Sequence, residues 1–275
     1  MKSTERPLIY VILGTPHSGR RSILADLIGD GLGEGDRALT FLSENEVPGD
    51  FDRRVGEVRP WTWQDNAIAA DVPTSLQDAS EEEDGTPSFS HVFFVLDGRQ
   101  SPVDQMEAFK LWVTPLDVEF ARAITVIDCT LASQHSELGA WFDACVHFSD
   151  IVLLARREGV ANKWMSDFQA HYRDKFIPSL FEFVKDGKVK NPALVLEPQA
   201  RRMTHIFDED VDWAIARTLA PDAEIDFSTE NEEGGEEDEN EDSEGVPDVD
   251  PYFERRQNGY RVIEVPDVKK YLGSP

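Results

Sequence analysis

Residues Leu8 to Ile28, LIYVILGTPHSGRRSILADLI, constrain this chain more than any other stretch. An apolar run, Leu8 to Leu13, ends at a glycine. A short loop follows, then an amphipathic run carrying Ile23, Leu24, Leu27 and Ile28. Strand, tight loop and helix in that order form the context of a phosphate-binding loop. Gly14 and Gly19 have the spacing of GxxxxGK(S/T), but Arg20 stands at the lysine position and Arg21 at the hydroxyl position, with Ser22 one residue late. Glycines let successive backbone N–H groups turn inward on an anion, and the helix start adds its own unpaired N–H groups and dipole. The candidate phosphate-binding residues are therefore Gly14, Thr15, Pro16, His17, Ser18, Gly19, Arg20, Arg21 and Ser22. Arg20 can supply charge-assisted hydrogen bonds, although its planar fork does not fill a lysine's pocket in the same way. Arg21 has only donors and cannot ligate a cation. Mg²⁺ binding is thus left open, and slow or absent hydrolysis is expected. A strand-loop-helix corner that binds nothing is the alternative.

Further along, Ala38 to Leu42, His91 to Asp97, Ala123 to Asp128 and Ile151 to Ala155 read as apolar strands. Val55 to Val58 and Ala67 to Ala70 read as short strands, and Ala193 to Leu196 as an edge strand. Ser101 and Pro102 carry the N-cap and first-position signals of a helix. Helices are expected over Leu131 to Cys145, Val160 to Phe176, Leu180 to Val184 and Glu209 to Leu219. Apolar strands alternating with helices predict an α/β fold with a doubly wound, mostly parallel sheet. Ligands of such sheets sit beyond the carboxyl ends of the strands, where Gly14, Asp97, Asp128 and Ala155 fall. Asp97 is the natural Mg²⁺-associated carboxylate of such a site. Asp97 and Asp128 also read as strand-end turn formers. The tryptophans, Trp61, Trp63 and Trp213 among them, read as core or partner anchors.

The net charge is −27 and the pI about 4.4. Both argue against nucleic acid and against an anionic membrane surface as partners. Two cysteines without paired spacing, Cys129 and Cys145, point to a reducing compartment and hence a cytoplasmic protein. The N-terminal apolar run ends at a glycine loop after six residues, which predicts a core strand, not a signal peptide. STENEEGGEEDENEDSEG has almost no apolar residues and cannot offset chain entropy by burial. The expected organisation is a nucleotide-binding domain over 1–220, an acidic disordered linker over 221–250 and a short C-terminal segment over 251–275. That segment either folds back or engages a partner.

The order of segments resembles the CobW-like GTPases, a P-loop family related to metallochaperones. GTPHSGRRS is similar to the family's phosphate loop at Gly14, Gly19 and Arg20. FLSENE resembles the strand followed by Asn-Glu, giving Asn45 and Glu46. HVFFVLDGRQSP resembles the strand whose acidic end is followed by glycine and proline, and AITVIDCT the strand before the next helix. SDIVLLARREGV places Ala155, Arg156 and Glu158 where an Asn-Lys-x-Asp base-reading motif would stand. The resemblance covers about residues 8 to 200. It implies a P-loop NTPase-like domain of the SIMIBI type binding nucleotide, with GTP preferred to ATP. Glu46 and Asp97 would be Mg²⁺ or switch residues, and Arg156 and Glu158 base-binding residues. The departures are specific. Arg21 replaces the Mg²⁺-binding hydroxyl and Ala155 the base-reading asparagine. No cysteine precedes Cys129, so the family's thiolate cluster is absent and no thiolate-bound zinc is expected.

Three functions stay open at this point. The first is a diverged nucleotide- or phosphate-binding protein with weak or absent GTP hydrolysis and a regulatory or assembly role. The second is an active NTPase or small-molecule kinase with unusual Mg²⁺ ligation. The third is an interaction scaffold that binds no nucleotide and works through its acidic or C-terminal segment. A homodimer is compatible with each.

Overall fold

The computed structural model describes residues 6–46, 49–69, 89–208 and 249–272. The chain divides into two compact units, one reaching Thr204 and resuming at Glu264, the other spanning His205–Ile263. In the first unit the elements run β1 (Leu8–Gly14), α1 (Arg20–Gly31), β2 (Ala38–Ser43), β3 (Glu57–Trp61), β4 (Trp63–Gln64), β5 (Ala67–Ile68), β6 (His91–Val95) and α2 (Pro102–Val113). They continue with β7 (Glu119–Asp128), α3 (Cys129–Gln134), α4 (Gly139–His147), β8 (Ile151–Ala155), α5 (Asn162–Asp174), β9 (Leu180–Phe183) and α6 (Pro192–Leu196).

Seven strands form one sheet in the order β3-β2-β6-β1-β7-β8-β9, and every pairing in it is parallel. The doubly wound α/β architecture expected from the sequence is the one observed. The chain winds outward to β3 on one side of β1, returns through β6, and winds outward to β9 on the other side. The reversal leaves a crevice at the carboxyl end of β1. Alternate residues serve opposite faces. Tyr10, Ile12, Phe93, Val95, Ile124 and Val126 pack with Ile23, Leu24 and Leu27 of α1 and with Val195 and Leu196 of α6. On the other face the Phe41 and Phe94 rings meet Trp112 of α2 at 5.2 and 4.8 Å.

Five expectations need correction. Leu180–Phe183 is not a helix but the edge strand β9, paired in register with Ile151–Leu154; a short apolar run carries no period that separates the two. Ala193–Leu196 is not a strand but most of helix α6. Asn191 accepts a hydrogen bond from Leu194 N and Pro192 takes the first turn, and these local signals outweigh the β-branched valine. The helix expected over Leu131 to Cys145 is broken into α3 and α4 at His135, whose φ of −129° and ψ of 82° leave the helical region. The strand expected to begin at Ala123 begins at Glu119, with Arg122 buried inside it. Val55 to Val58 contributes only the start of β3, and the hairpin β4–β5 turns at Asp65 and Asn66, both of positive φ. The helix expected over Glu209 to Leu219, Trp213 and the acidic segment up to residue 248 lie outside the described residues.

The second unit contains a small hairpin. Asp250 holds its first turn through Tyr252 N and Phe253 N (2.9 and 2.8 Å). Arg255 bridges Arg261 antiparallel, and the Arg261 guanidinium lies 5.5 Å from the centre of the Phe253 ring. Among the described residues no helix is long and apolar enough to cross a membrane.

Candidate phosphate-binding site

The loop between β1 and α1 has the backbone of an anion cradle. His17 has φ 62° and Gly19 φ 96°, with Ser18 between them. Alternation of left-handed and ordinary residues is the backbone pattern that turns N–H groups toward a concavity; here the Ser18 N–H donates within the loop, to Thr15 O at 3.3 Å. Ile23 N donates the first intrahelical bond, to Gly19 O at 3.0 Å, so the amides of the preceding turn face out of the helix start. Thr15 and Ser18 are fully buried, and their hydroxyls make no hydrogen bond. Buried hydroxyls without partners are rare; these two lie behind the cleft surface, since neither residue is among those that line it. His17 itself is exposed.

The two arginines at the helix start are already engaged. Arg20 is 4% exposed. It donates to the Leu96 carbonyl at the end of β6 and forms an ion pair with Glu46, which lies on the loop after β2. Arg21 pairs with Asp52 Oδ2 at 3.1 Å and approaches Glu46 Oε2 at 3.7 Å. Glu46 Oε1 also accepts Gly98 N at 3.1 Å. Burial pushes the Glu46 carboxyl up, but Arg20, the Gly98 N–H and Arg21 together outweigh it and hold the group below its ordinary value. A cleft of about 380 Å³ opens here, lined by Pro16, His17, Gly19 to Ser22, Glu46, Gly49, Phe51, Arg99 and Arg156.

Most candidates from the sequence therefore meet in one place. Asp97 and Asp128 fall at the expected edge, yet both serve the fold. Asp97 Oδ1 accepts Arg99 N (2.9 Å), its Oδ2 accepts Asn45 Nδ2 (3.2 Å), and its own N–H and C=O are both bonded to the Gln105 amide (2.8 Å each). Asp128 caps α3 through Leu131 N and pairs with Arg156 Nε at 3.2 Å. Arg156, at φ 49°, donates to the His17 carbonyl and lines the cleft. Glu158 is exposed and is not among the cleft's lining residues. Gly98 and Arg99 were not among the candidates. A Cβ at Gly98 would lie 2.6 Å from both Gly14 O and Pro16 N, so only glycine lets the two loops touch. Its signal in the sequence is its place directly after the acidic strand end.

The donors do not suit Mg²⁺. Arg21 occupies the hydroxyl position, Ser22 Oγ donates to Gly19 O (2.8 Å), and both Asp97 oxygens are taken. Among the described residues no three His, Cys, Asp or Glu side chains are placed to hold a metal ion. The C-terminal residues of the first unit reach the same rim. Val268 is buried, Lys269 Nζ bonds Gln100 Oε1 at 3.1 Å, and the Tyr271 ring lies 5.2 Å from His135. Arg99 lines both the cleft and a smaller cavity of about 200 Å³ against residues 265–269.

No family model matches this sequence, and no curated protein matches it. Among solved structures, it is similar to a Zn(II)-bound triple mutant of the YjiA GTPase, with 16% identity, a TM-score of 0.43, and coverage of 74% of this chain and 69% of that one. It is also similar to the Zn(II)-bound YjiA GTPase from E. coli, with 14% identity, a TM-score of 0.42, and coverage of 72% and 67%. These scores are too low for either neighbour's activity or metal to transfer to this chain.

Proposed function

We propose that the cleft binds the phosphates of a nucleotide, GTP or GDP in preference to the adenine forms, with slow or absent turnover. The observation that carries this is the cradle itself. A loop of alternating left-handed residues, with two buried hydroxyls lacking partners, sits at the carboxyl edge of a parallel sheet beneath a cleft lined by four arginines. Backbone N–H groups and guanidinium forks are the groups that hold phosphate oxygens. Weak turnover follows from the Mg²⁺ donors. In phosphoryl transfer the metal bridges the terminal phosphates and neutralises developing charge, and Arg21 cannot take that role. The role proposed is regulation or assembly, in the cytoplasm, with residues 1–220 as the binding domain and a protein partner for the acidic or C-terminal segment.

One observation favours the reading without nucleotide: Arg20 is already paired with Glu46. Calorimetric titration of the full chain with GDP, GTP, ADP and ATP, with and without Mg²⁺, separates the two. Binding in EDTA is expected, with turnover far below the usual enzyme range of about 1–10³ per second. Absence of binding to all four nucleotides would leave the interaction scaffold. Turnover within the usual range would leave an active NTPase.

A further inference from the structure

We propose that Glu46 is a built-in stand-in for a terminal phosphate, so that the cleft takes a nucleoside diphosphate and rejects the triphosphate. This rests on the phosphate-binding reading above and names the ligand that the site selects.

Three donors from two separate segments meet on one carboxylate. Arg20 and Arg21 come from the start of α1, and the Gly98 N–H comes from the loop after β6. The Glu46 side chain is 11% exposed, and it reaches this point from a third segment, the loop after β2. Such a set, two guanidinium groups and a backbone amide around clustered anionic oxygens, is what a phosphate asks of a protein. The position matters as much as the chemistry. In a phosphate loop the backbone cradles the inner phosphates, and the cation after the second glycine reaches the outer ones. Arg20 holds that position, and its guanidinium is committed to Glu46 and the Leu96 carbonyl. Asp52 pairs with Arg21 as well. The outer seat is thus filled and its charge balanced.

The inner seat is different. Among the described residues the hydroxyls of Thr15 and Ser18 have no hydrogen-bond partner, and the Ser18 N–H donates within the loop to the Thr15 carbonyl at 3.3 Å. Arg99 and Arg156 line the cleft; Arg99 donates to the Asn45 carbonyl and Arg156 is half exposed beside Asp128, and from these rim positions they are the cations through which a shorter polyphosphate would be held. A third phosphate would place its charge against Glu46, and like charges at contact oppose one another. To enter, it would have to displace Glu46 from Arg20 and Gly98 together.

The test is calorimetry on the full chain in EDTA with four probes: GDP, GTP, pyrophosphate and tripolyphosphate. The intact protein should bind GDP about tenfold or more tighter than GTP, and pyrophosphate should exceed tripolyphosphate in the same sense. Glu46→Gln keeps the side-chain size and removes the charge, and it should abolish the preference or reverse it. Glu46→Asp withdraws the carboxylate and should move the ratio the same way if the glutamine variant does not fold. GTP binding as tightly as GDP in the intact protein would overturn the proposal, as would an unchanged ratio in a folded variant. In both cases the phosphate-binding reading would survive. Failure of all four probes to bind would overturn both.

Discussion

Buried charge occurs at both edges of the sheet, and the two clusters are built for different ends. At the carboxyl edge Arg20, Arg21, Glu46 and Asp52 interlock, and all but Asp52 line the cleft. At the amino edge Asp150, directly before β8, is fully buried and accepts Ala123 N (2.8 Å), Arg201 N (2.6 Å), Arg202 N (3.1 Å) and the Arg202 guanidinium (3.3 Å). Beside it Arg122 donates to the Leu194 and Val195 carbonyls at the end of α6 (3.1 and 3.4 Å). None of these amino-edge residues lines the cleft. Asp150 ties the start of β8 and the segment after α6 to β7, a task that backbone amides define. Glu46 gathers groups that an incoming anion could equally satisfy. A buried ion pair alone says little about function; one whose partners also face a cleft says more.

The largest effect that would sharpen this contrast is on stability. Asp150→Ala strands buried donors and should cost about 3–5 kcal/mol in urea unfolding. Glu46→Ala leaves arginines that can reach the cleft's water and should cost roughly 1–3 kcal/mol. Equal losses would break the comparison. The folded fraction of the Asp150 variant should keep its affinity for GDP.

A smaller effect concerns Arg21. Replacement by threonine restores a hydroxyl where Mg²⁺ would be ligated, and nucleotide binding should become Mg²⁺-dependent. Arg21→Ala removes one of the groups that hold Glu46 in place and should narrow the GDP-over-GTP ratio by a few-fold while GDP itself still binds. An unchanged ratio in the alanine variant would place Arg21 with the architectural charges.

The smallest effect is on acid stability. The folded Glu46 carboxyl is held below its ordinary value of 4.5. The unfolded chain then binds the proton more readily, so stability rises with pH through that range. The contribution of Glu46 is present above pH 4.5 and is lost as pH falls through the depressed value. Glu46→Gln should flatten this limb of a plot of urea midpoint against pH. An unaltered limb would mean that other carboxylates carry it.

The chain's order of strands was legible because β1, β2, β6, β7 and β8 are apolar runs ending in glycine, aspartate or a polar loop. The tight loop between β1 and α1 was legible from the glycine spacing. The edge was harder. β9 and α6 are four and five residues long, too short for periodicity, and Asn191 with Pro192 was the better guide. Arg122 hid the start of β7, because a charged residue reads as a boundary until its partners, the α6 carbonyls, are known. The convergence of Glu46 on Arg20 spans 26 positions, and nothing local to either residue announces it. Asp97 and Asp128 had two readings each, and the choice depended on the amides that bond them.

The close approach at Gly98 has a mechanical consequence. With 2.6 Å between a notional Cβ and the backbone of Gly14 and Pro16, no side chain cushions the two loops, and a displacement of one carries the other. Asp97 is clamped at both its N–H and its C=O by Gln105, so α2 is the next body in line. A helix of 12 residues is about 18 Å long. It runs from the rim of the cleft back toward Glu119, where β7 begins. Acting as a lever, α2 would deliver a shift of the β1–α1 loop to Val113 and Thr114, at the other end of the helix from the cleft.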